Sequence, residues 1–273
     1  MSKKIDIFKE VKLIEEFSER NTVIHNLHPV AKVITTVIFI VVTLSYNKYE
    51  ISGMVPLIFY PVIISSIGEI PLKALIKKAI IPMPLIVGVG MFNPIFHKEP
   101  MVILSGISIS TGWISFLSIV IRGFLSIIGA QLLIGTTGIS KIGSALRMLK
   151  VPKVFVLQIM LTYRYITLFV EEVSRTIRAY TIRSYNSKGI KFSDGGSLVG
   201  GLLLRTIDRA ERVYHSMCCR GFSGEYNDGV IYKVKKRDII YVISMAFIFF
   251  TIRFYNLPKN MERLILEVFT WKM

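Results

Sequence analysis

The sequence predicts an all-α membrane protein: a polytopic helical bundle with long helices on its cytoplasmic side. Three observations lead there. Of the 273 residues, 52% are apolar and 19% are charged, whereas about a quarter of an ordinary soluble domain is charged. The apolar residues gather in separate runs near the length of about 20 that crosses about 30 Å of hydrocarbon. The formal net charge of +16 sits mostly between those runs, as the bias of basic residues toward cytoplasmic loops requires. Disorder is excluded by the apolar content. A nucleic-acid partner is not predicted either, because the aromatic residues lie inside the apolar runs rather than alternating with the basic ones as stacking platforms.

Taken in order, the first 20 residues, MSKKIDIFKEVKLIEEFSER, alternate charge with apolar side chains and lack a cleavable apolar core, so residues 1–26 read as a cytosolic amphipathic segment rather than a secretory signal. Residues 27–135 hold four crossings, Val30 to Tyr46, Ile51 to Ile67, Ala79 to Phe96 and Trp113 to Ile134, separated by NKYE, GEIPLKALIKK and HKEPMVILSGISIST. With the N-terminus inside, the loop bearing Lys73, Lys77 and Lys78 also falls inside, and NKYE and HKEP fall outside. Pro56, Pro61, Pro82 and Pro84 predict kinks, since each removes a backbone donor and crowds the preceding turn. Residues 136–237 are assigned to the cytoplasm: between Thr136 and Arg237 lie 18 of the 34 basic residues against seven acidic ones, a net +11. Residues 238–273 supply a last crossing, Ile239 to Tyr255, and a tail.

Within the cytoplasmic region, Val154 to Val170 is apolar enough to cross, which gives six crossings instead of five. A crossing there would separate RTIRAYTIRS from KVKKR or put both outside, so this run reads as part of a non-spanning helix that Pro152 opens and that continues to Arg183. Its apolar stripe is Ile166, Val170, Val173, Ile177 and Tyr180. A second helix carries Leu203, Ile207, Ala210, Tyr214 and Met217 at spacings of four, three, four and three. Asp208 and Arg212 form an i, i+4 pair, Arg220 complements the negative helix end, and Gly221 stops the helix.

Candidate chemistry is sparse. Cys218 and Cys219 are adjacent, which suits neither an ordinary disulfide nor a zinc knuckle. His25 and His28 have ligand-like spacing, but Pro29 interrupts and no third ligand is evident, so a juxtamembrane cap or an interfacial pair is the reading, with His97 and His215 isolated. Lys32 and Arg122 are ionisable groups inside apolar runs, a flag for function; Arg122 is expected to face the bundle interior or a partner. Glu171, Glu172 and Arg175 are similar to an intramembrane CAAX-type protease motif, but only Val173 and Ser174 stand between the glutamates and the arginine where that motif has three residues. The glutamates therefore read as neutralisers of arginines such as Arg175. No G-x-x-x-x-G-K-[ST] phosphate loop is present.

The order VPKVF, YRY, EEVSR, IRSY, LLLRTIDRAERVY and CCRGFSGE between Lys150 and Glu225 resembles the transmembrane T component of energy-coupling-factor (ECF) transporters, of the cobalt CbiQ type. Members carry two Ala-Arg-Gly-like triplets at the ends of two coupling helices; Ile182, Arg183, Ser184 and Cys219, Arg220, Gly221 match them with the alanine replaced. The resemblance implies that these six residues couple to the ATPases and that Arg175, Arg178, Arg209, Glu211 and Arg212 support the helices. The RAERVY run favours the dedicated metal-uptake subtype over the shared vitamin subtype. Near the N-terminus the family's Asp-Pro-Arg-x-Lys is matched by His28-Pro29-Val30-Ala31-Lys32 only in its proline and lysine. The implied partners are two ECF ATPase subunits that bind the ATP, a membrane substrate-binding (S or CbiM-like) subunit and a small CbiN-like subunit, in a prokaryotic cell membrane, for import of cobalt or nickel. No cofactor is implied for this chain, and the rival readings are a vitamin-type T component and an intramembrane enzyme.

Overall fold

A computed structural model describes residues 18, 20–47, 50–96, 100–104, 107–184, 190–224 and 233–255. The chain divides into two compact units, one spanning Ile14–Gly138 and Tyr232–Met273, the other Met1–Leu13 and Ile139–Ile231.

In the first unit, helix α1 (Pro29–Leu44) begins where the sequence supplies both parts of a helix start. His28 is the N-cap, its side chain accepting from the Val30 N–H at 3.2 Å, and Pro29 fills the first turn. Val37, Val41 and Leu44 make an exposed apolar stripe, while the opposite face buries Phe39 against Tyr60 and Phe249, with ring centroids 4.5 to 5.5 Å apart. The second apolar run is a 3-10 segment (Ser52–Ile58) followed by α2 (Phe59–Ile67), so Pro56 falls in the tighter coil and Pro61 in the first turn of α2. The third run is not one kinked helix as expected. It starts in α3 (Leu72–Ile80), breaks, and resumes as α4 (Met83–Gly90) and α5 (Phe92–Phe96), with a bend of 52° at the break. Pro82 and Pro84 occupy the cap and first turn of α4, where a missing N–H costs nothing; the prolines start a new helix rather than bend an old one.

The connection expected as a plain loop between the third and fourth runs contains an antiparallel hairpin, β1 (Pro100–Leu104) with β2 (Ile107–Ser110). MVIL and ISIS are rich in β-branched residues, which suit a pleated ribbon. Next, α6 (Thr111–Thr137) covers the predicted fourth crossing, and α10 (Lys236–Tyr255) covers the last one. A Cβ on Gly129 of α6 would stand 3.0 Å from the Phe39 ring, so the glycine sets how closely α6 approaches α1.

The two flagged cations prove to be clamps. Lys32 is buried, and its ammonium donates to Thr136 O at 2.8 Å and to His25 O at 3.3 Å. Thr136 lies in the last turn of α6, where unpaired carbonyls and the negative helix end favour a cation. Arg122, half-buried, donates to Ser118 Oγ at 2.9 Å and to the Asn47 carbonyl just beyond α1. Sequence reading did not single out Asp238, which is buried and accepts from the N–H groups of His28 at 3.0 Å and Lys235 at 2.9 Å. It thereby joins the starts of α1 and α10.

In the second unit, α7 (Ile139–Met148) packs on α8 (Lys153–Arg183) where Met160 lies over Gly143, and α9 (Phe192–Cys219) pairs with α8 farther along. Among the described residues, two helices are each long and apolar enough to cross a membrane, α6 and α8; α3 with Met83–Pro94 makes a broken third, and α1 and Ser52–Ile67 are shorter apolar helices.

Candidate functional site

Helix α8 has 31 residues and α9 has 28, lengths of about 46 and 42 Å at 1.5 Å per residue. Polar contacts fix their pairing. Glu172 accepts from Arg205 at 3.0 Å and lies 3.8 Å from Arg209, and Arg205 also donates to Thr176 Oγ1 at 3.3 Å. Farther along, the Tyr180 hydroxyl donates to Asp194 at 2.7 Å and accepts from the Lys191 N–H at 3.3 Å. The Tyr180 hydroxyl, with help from the Ser193 hydroxyl and Lys191, holds the Asp194 carboxyl below the usual carboxylate range, against a small opposing effect of desolvation. Glu171 pairs with Arg175 at 3.6 Å, the i, i+4 contact expected from sequence. Arg178 donates back to the Ser174 carbonyl. Both glutamates thus engage arginines rather than each other.

The expected apolar stripes are partly rotated. On α8, Val170, Val173, Ile177 and Tyr180 are half-buried but Ile166 is exposed. On α9, Leu203 and Ile207 point away from the pairing face, which is made by Leu198, Leu202, Arg209, Val213 and Met217. Apolar residues cover more than half the circumference of α9, so periodicity alone leaves its rotation open. The requirement that Glu172 meet Arg205 and Arg209, and that Tyr180 meet Asp194, selects the face. Between the helices an open, mainly apolar groove of about 480 Å³ remains, walled by Leu157, Leu161 and Phe169 on one side and Val213, Met217 and Phe222 on the other, with Glu172, Arg205 and Arg209 on its rim.

The two Arg-centred triplets end the two helices, as read from sequence, but with different geometry. At the end of α9, Arg220 is the cap and Gly221 has φ +79°. The Gly221 N–H donates to Cys218 O and the Phe222 N–H to Met217 O, each at 3.0 Å. These are the two bonds of a Schellman stop, and Met217 and Phe222, the pair whose apolar contact often accompanies such a stop, both line the groove. At the end of α8, Ser184 is itself the cap, with φ −89° and a bond from its N–H to Tyr180 O at 2.9 Å, so the residue after the arginine is left-handed at Gly221 but not at Ser184. Ile182, Arg183, Cys219, Arg220 and Gly221 are all exposed. Among the described residues, neither the Arg183 nor the Arg220 guanidinium takes a hydrogen bond or an ion-pair partner, in contrast to Arg175, Arg205 and Arg209.

Of the supporting residues, Arg175 and Arg209 have partners within the pair, whereas Glu211 and Arg212 project outward, and Arg212 forms no ion pair with Asp208. Arg205 was not singled out from sequence, although it makes the shortest interhelical ion pair; its position seven residues before Arg212 on the polar side of α9 was the available signal. Cys218 and Cys219 are free and exposed. His28 caps α1, as read, and His25 is bonded to Thr22 Oγ1 at 2.7 Å.

Such an arrangement has the chemistry of a docking device: two forked cations at exposed helix ends, braced by an internal ion-pair network. Comparison with known proteins agrees with transport rather than catalysis. The profile of the CbiQ family, described as cobalt transport protein, matches residues 20–230. An uncharacterised protein of Methanocaldococcus jannaschii is 26% identical over 239 residues, covering 84% of this chain and 81% of its own length.

Proposed function

Since the chain belongs to the CbiQ family of cobalt transport proteins, membrane transporter components rather than enzymes, we propose that it is the transmembrane coupling subunit of an ECF-type importer for cobalt or nickel ions. In this reading residues 136–237 lie on the cytosolic side, and Arg183 and Arg220 each insert into a groove of one of two ATPase subunits, which bind and hydrolyse the ATP. The observation that carries the reading is the contrast among the arginines. Arg175, Arg205 and Arg209 are ion-paired with Glu171 or Glu172, while the two at the helix ends are exposed and have no partner among the described residues. A planar guanidinium left so is suited to a bidentate bond with a partner's carboxylate or carbonyls.

ATP-driven closure of the two ATPases changes the separation of the grooves that hold the two arginines. Because Glu172 with Arg205 and Arg209, and Tyr180 with Asp194, tie α8 to α9, the helices respond as a pair and act as levers on the transmembrane bundle. The bundle's apolar surface reorients a CbiM-like or S-type substrate-binding subunit, an association governed by packing because lipid supplies no hydrophobic drive between helices. Ion selection belongs to that subunit, with a CbiN-like subunit as its companion. The engagement of Glu171 and Glu172 with arginines speaks against the intramembrane-enzyme alternative, which needs one carboxylate held for water.

The test is charge reversal. Arg183→Glu and Arg220→Glu should each lower co-purification of the ATPases and ATP-dependent uptake of radioactive cobalt, and together abolish both, while Arg212→Glu, exposed on α9 but away from its end, should leave co-purification intact. If both reversals left complex and uptake unchanged, the coupling assignment would fail.

A further inference from the structure

We propose that a groove between α1 and α10 holds one anionic phospholipid, with an acyl chain along the groove and the phosphate at Arg253. The site lies within the first unit and does not depend on what Arg183 and Arg220 bind. Helices α1 and α10 run parallel. The His28 N–H donates to Asp238 where they start, and Arg253 donates to Ser45 O at 3.1 Å and to Ser45 Oγ at 3.4 Å where they end. The 20 residues of α10 rise about 30 Å, the thickness of a bilayer's hydrocarbon core. Along the half nearer Arg253 the two helices leave an open groove of about 520 Å³. Ile38 and the buried Val42 make its floor; the exposed Val37 and Val41 of α1 and Phe250 and Phe254 of α10 make its walls. From Val37 to Ser45 it runs about 12 Å, close to one leaflet's share of that core.

The groove's polar end lacks acceptors. Arg253, its guanidinium stacked 4.7 Å over the Tyr46 ring, keeps 30% of its side chain exposed. Of a guanidinium's five N–H donors, Ser45 takes two. Glu50 Oε2 stands 3.8 Å away, an ion pair beyond hydrogen-bond reach. Arg122, bonded to the Asn47 carbonyl, brings a second guanidinium to this end of α1, so among the described residues two cations stand against one acid. The Tyr46 hydroxyl and Arg122 Nε are buried there without a hydrogen-bond partner among the described residues, against a single such acceptor, Glu50 Oε2. Donors and positive charge are both in excess. A phosphodiester brings paired charged oxygens that match a guanidinium fork. A free anion would use only the mouth of this site, whereas a phospholipid uses the mouth and the apolar trench below it.

The experiment titrates the full chain in detergent with phosphatidylglycerol, or with phosphatidylcholine of the same acyl chains, and counts retained lipid by native mass spectrometry. The parent should hold one phosphatidylglycerol about tenfold more tightly than phosphatidylcholine, whose choline cation meets Arg253 and Arg122. Arg253→Gln should bring the two lipids within about twofold of each other. Val41→Trp, which fills the trench from an exposed position and leaves Arg253 in place, should weaken both by about fivefold or more. Leu85→Trp, exposed on α4 away from the groove, should match the parent. Where Arg253→Gln does not fold, Val41→Trp decides alone. Equal retention of the two lipids by the parent, as for a face that a partner's helix covers, overturns the proposal. So does unchanged binding in Val41→Trp, or displacement of the lipid by inorganic phosphate, which marks a free-anion site.

Discussion

Gly221→Ala separates the two triplets sharply, because the residue after the arginine is left-handed in only one of them. Gly221 sits at φ +79° and carries one of two bonds that close α9 behind Arg220. An L-residue with a Cβ in that conformation costs about 1–2 kcal/mol. In the free protein the strain is relieved by fraying of the last turn, which frees Arg220 from its fixed position; on docking, the turn must be rebuilt. The dissociation constant for the ATPase subunits should therefore rise by about 5- to 30-fold, the range that corresponds to 1–2 kcal/mol. Gly221→Asn should stay within about 3-fold of the parent, since asparagine tolerates the left-handed region at small cost. Ser184→Ala should bind as the parent does, because Ser184 is at φ −89°, open to any residue. The assay is equilibrium binding of purified ATPase subunits to each variant in nanodiscs, with thermal stability of the variant alone as a control for folding. Unchanged affinity in Gly221→Ala, or an asparagine variant as weak as the alanine one, would refute the role of the Schellman stop in presenting Arg220.

Other perturbations test the bundle and the helix pair. Lys32→Met leaves Thr136 O and His25 O without the ammonium that reaches them; at about 1–3 kcal/mol for an unsatisfied buried group, thermal unfolding in detergent should begin several degrees earlier. Gly129→Val forces a side chain into the Phe39 ring and should cost about 1–3 kcal/mol by overpacking, with Phe39→Leu in the same chain recovering part of the loss in the same melt. Acid titration probes Asp194. Its folded carboxyl lies below its unfolded value, so its contribution is present above about pH 4, the unfolded carboxylate value, and is lost as pH falls through the folded one. Unfolding curves measured from pH 6 to pH 3 should accordingly be less acid-sensitive in Asp194→Asn than in the parent.

By itself the sequence determined the membrane class, the helical content and the residues that end the long helices, because each depends on short-range chemistry. Runs of apolar residues set α1, α6 and α10, His28 with Pro29 started α1, and Gly221 after Arg220 stopped α9. Tertiary structure decided how those helices turn and whom they meet. The rotation of α9 came from partners more than 25 residues away in the chain, Glu172 reaching Arg205 and Arg209, where the apolar periodicity allowed several faces. Lys32 and Arg122 looked alike as ions in apolar runs, and only the approach of Thr136 to one and Asn47 to the other made them clamps. The likeness of the two triplets likewise ended at composition. The residue that follows the arginine takes a left-handed dihedral at Gly221, φ +79°, where two backbone bonds close the end of α9, and an ordinary one at Ser184, φ −89°, which is the cap of α8.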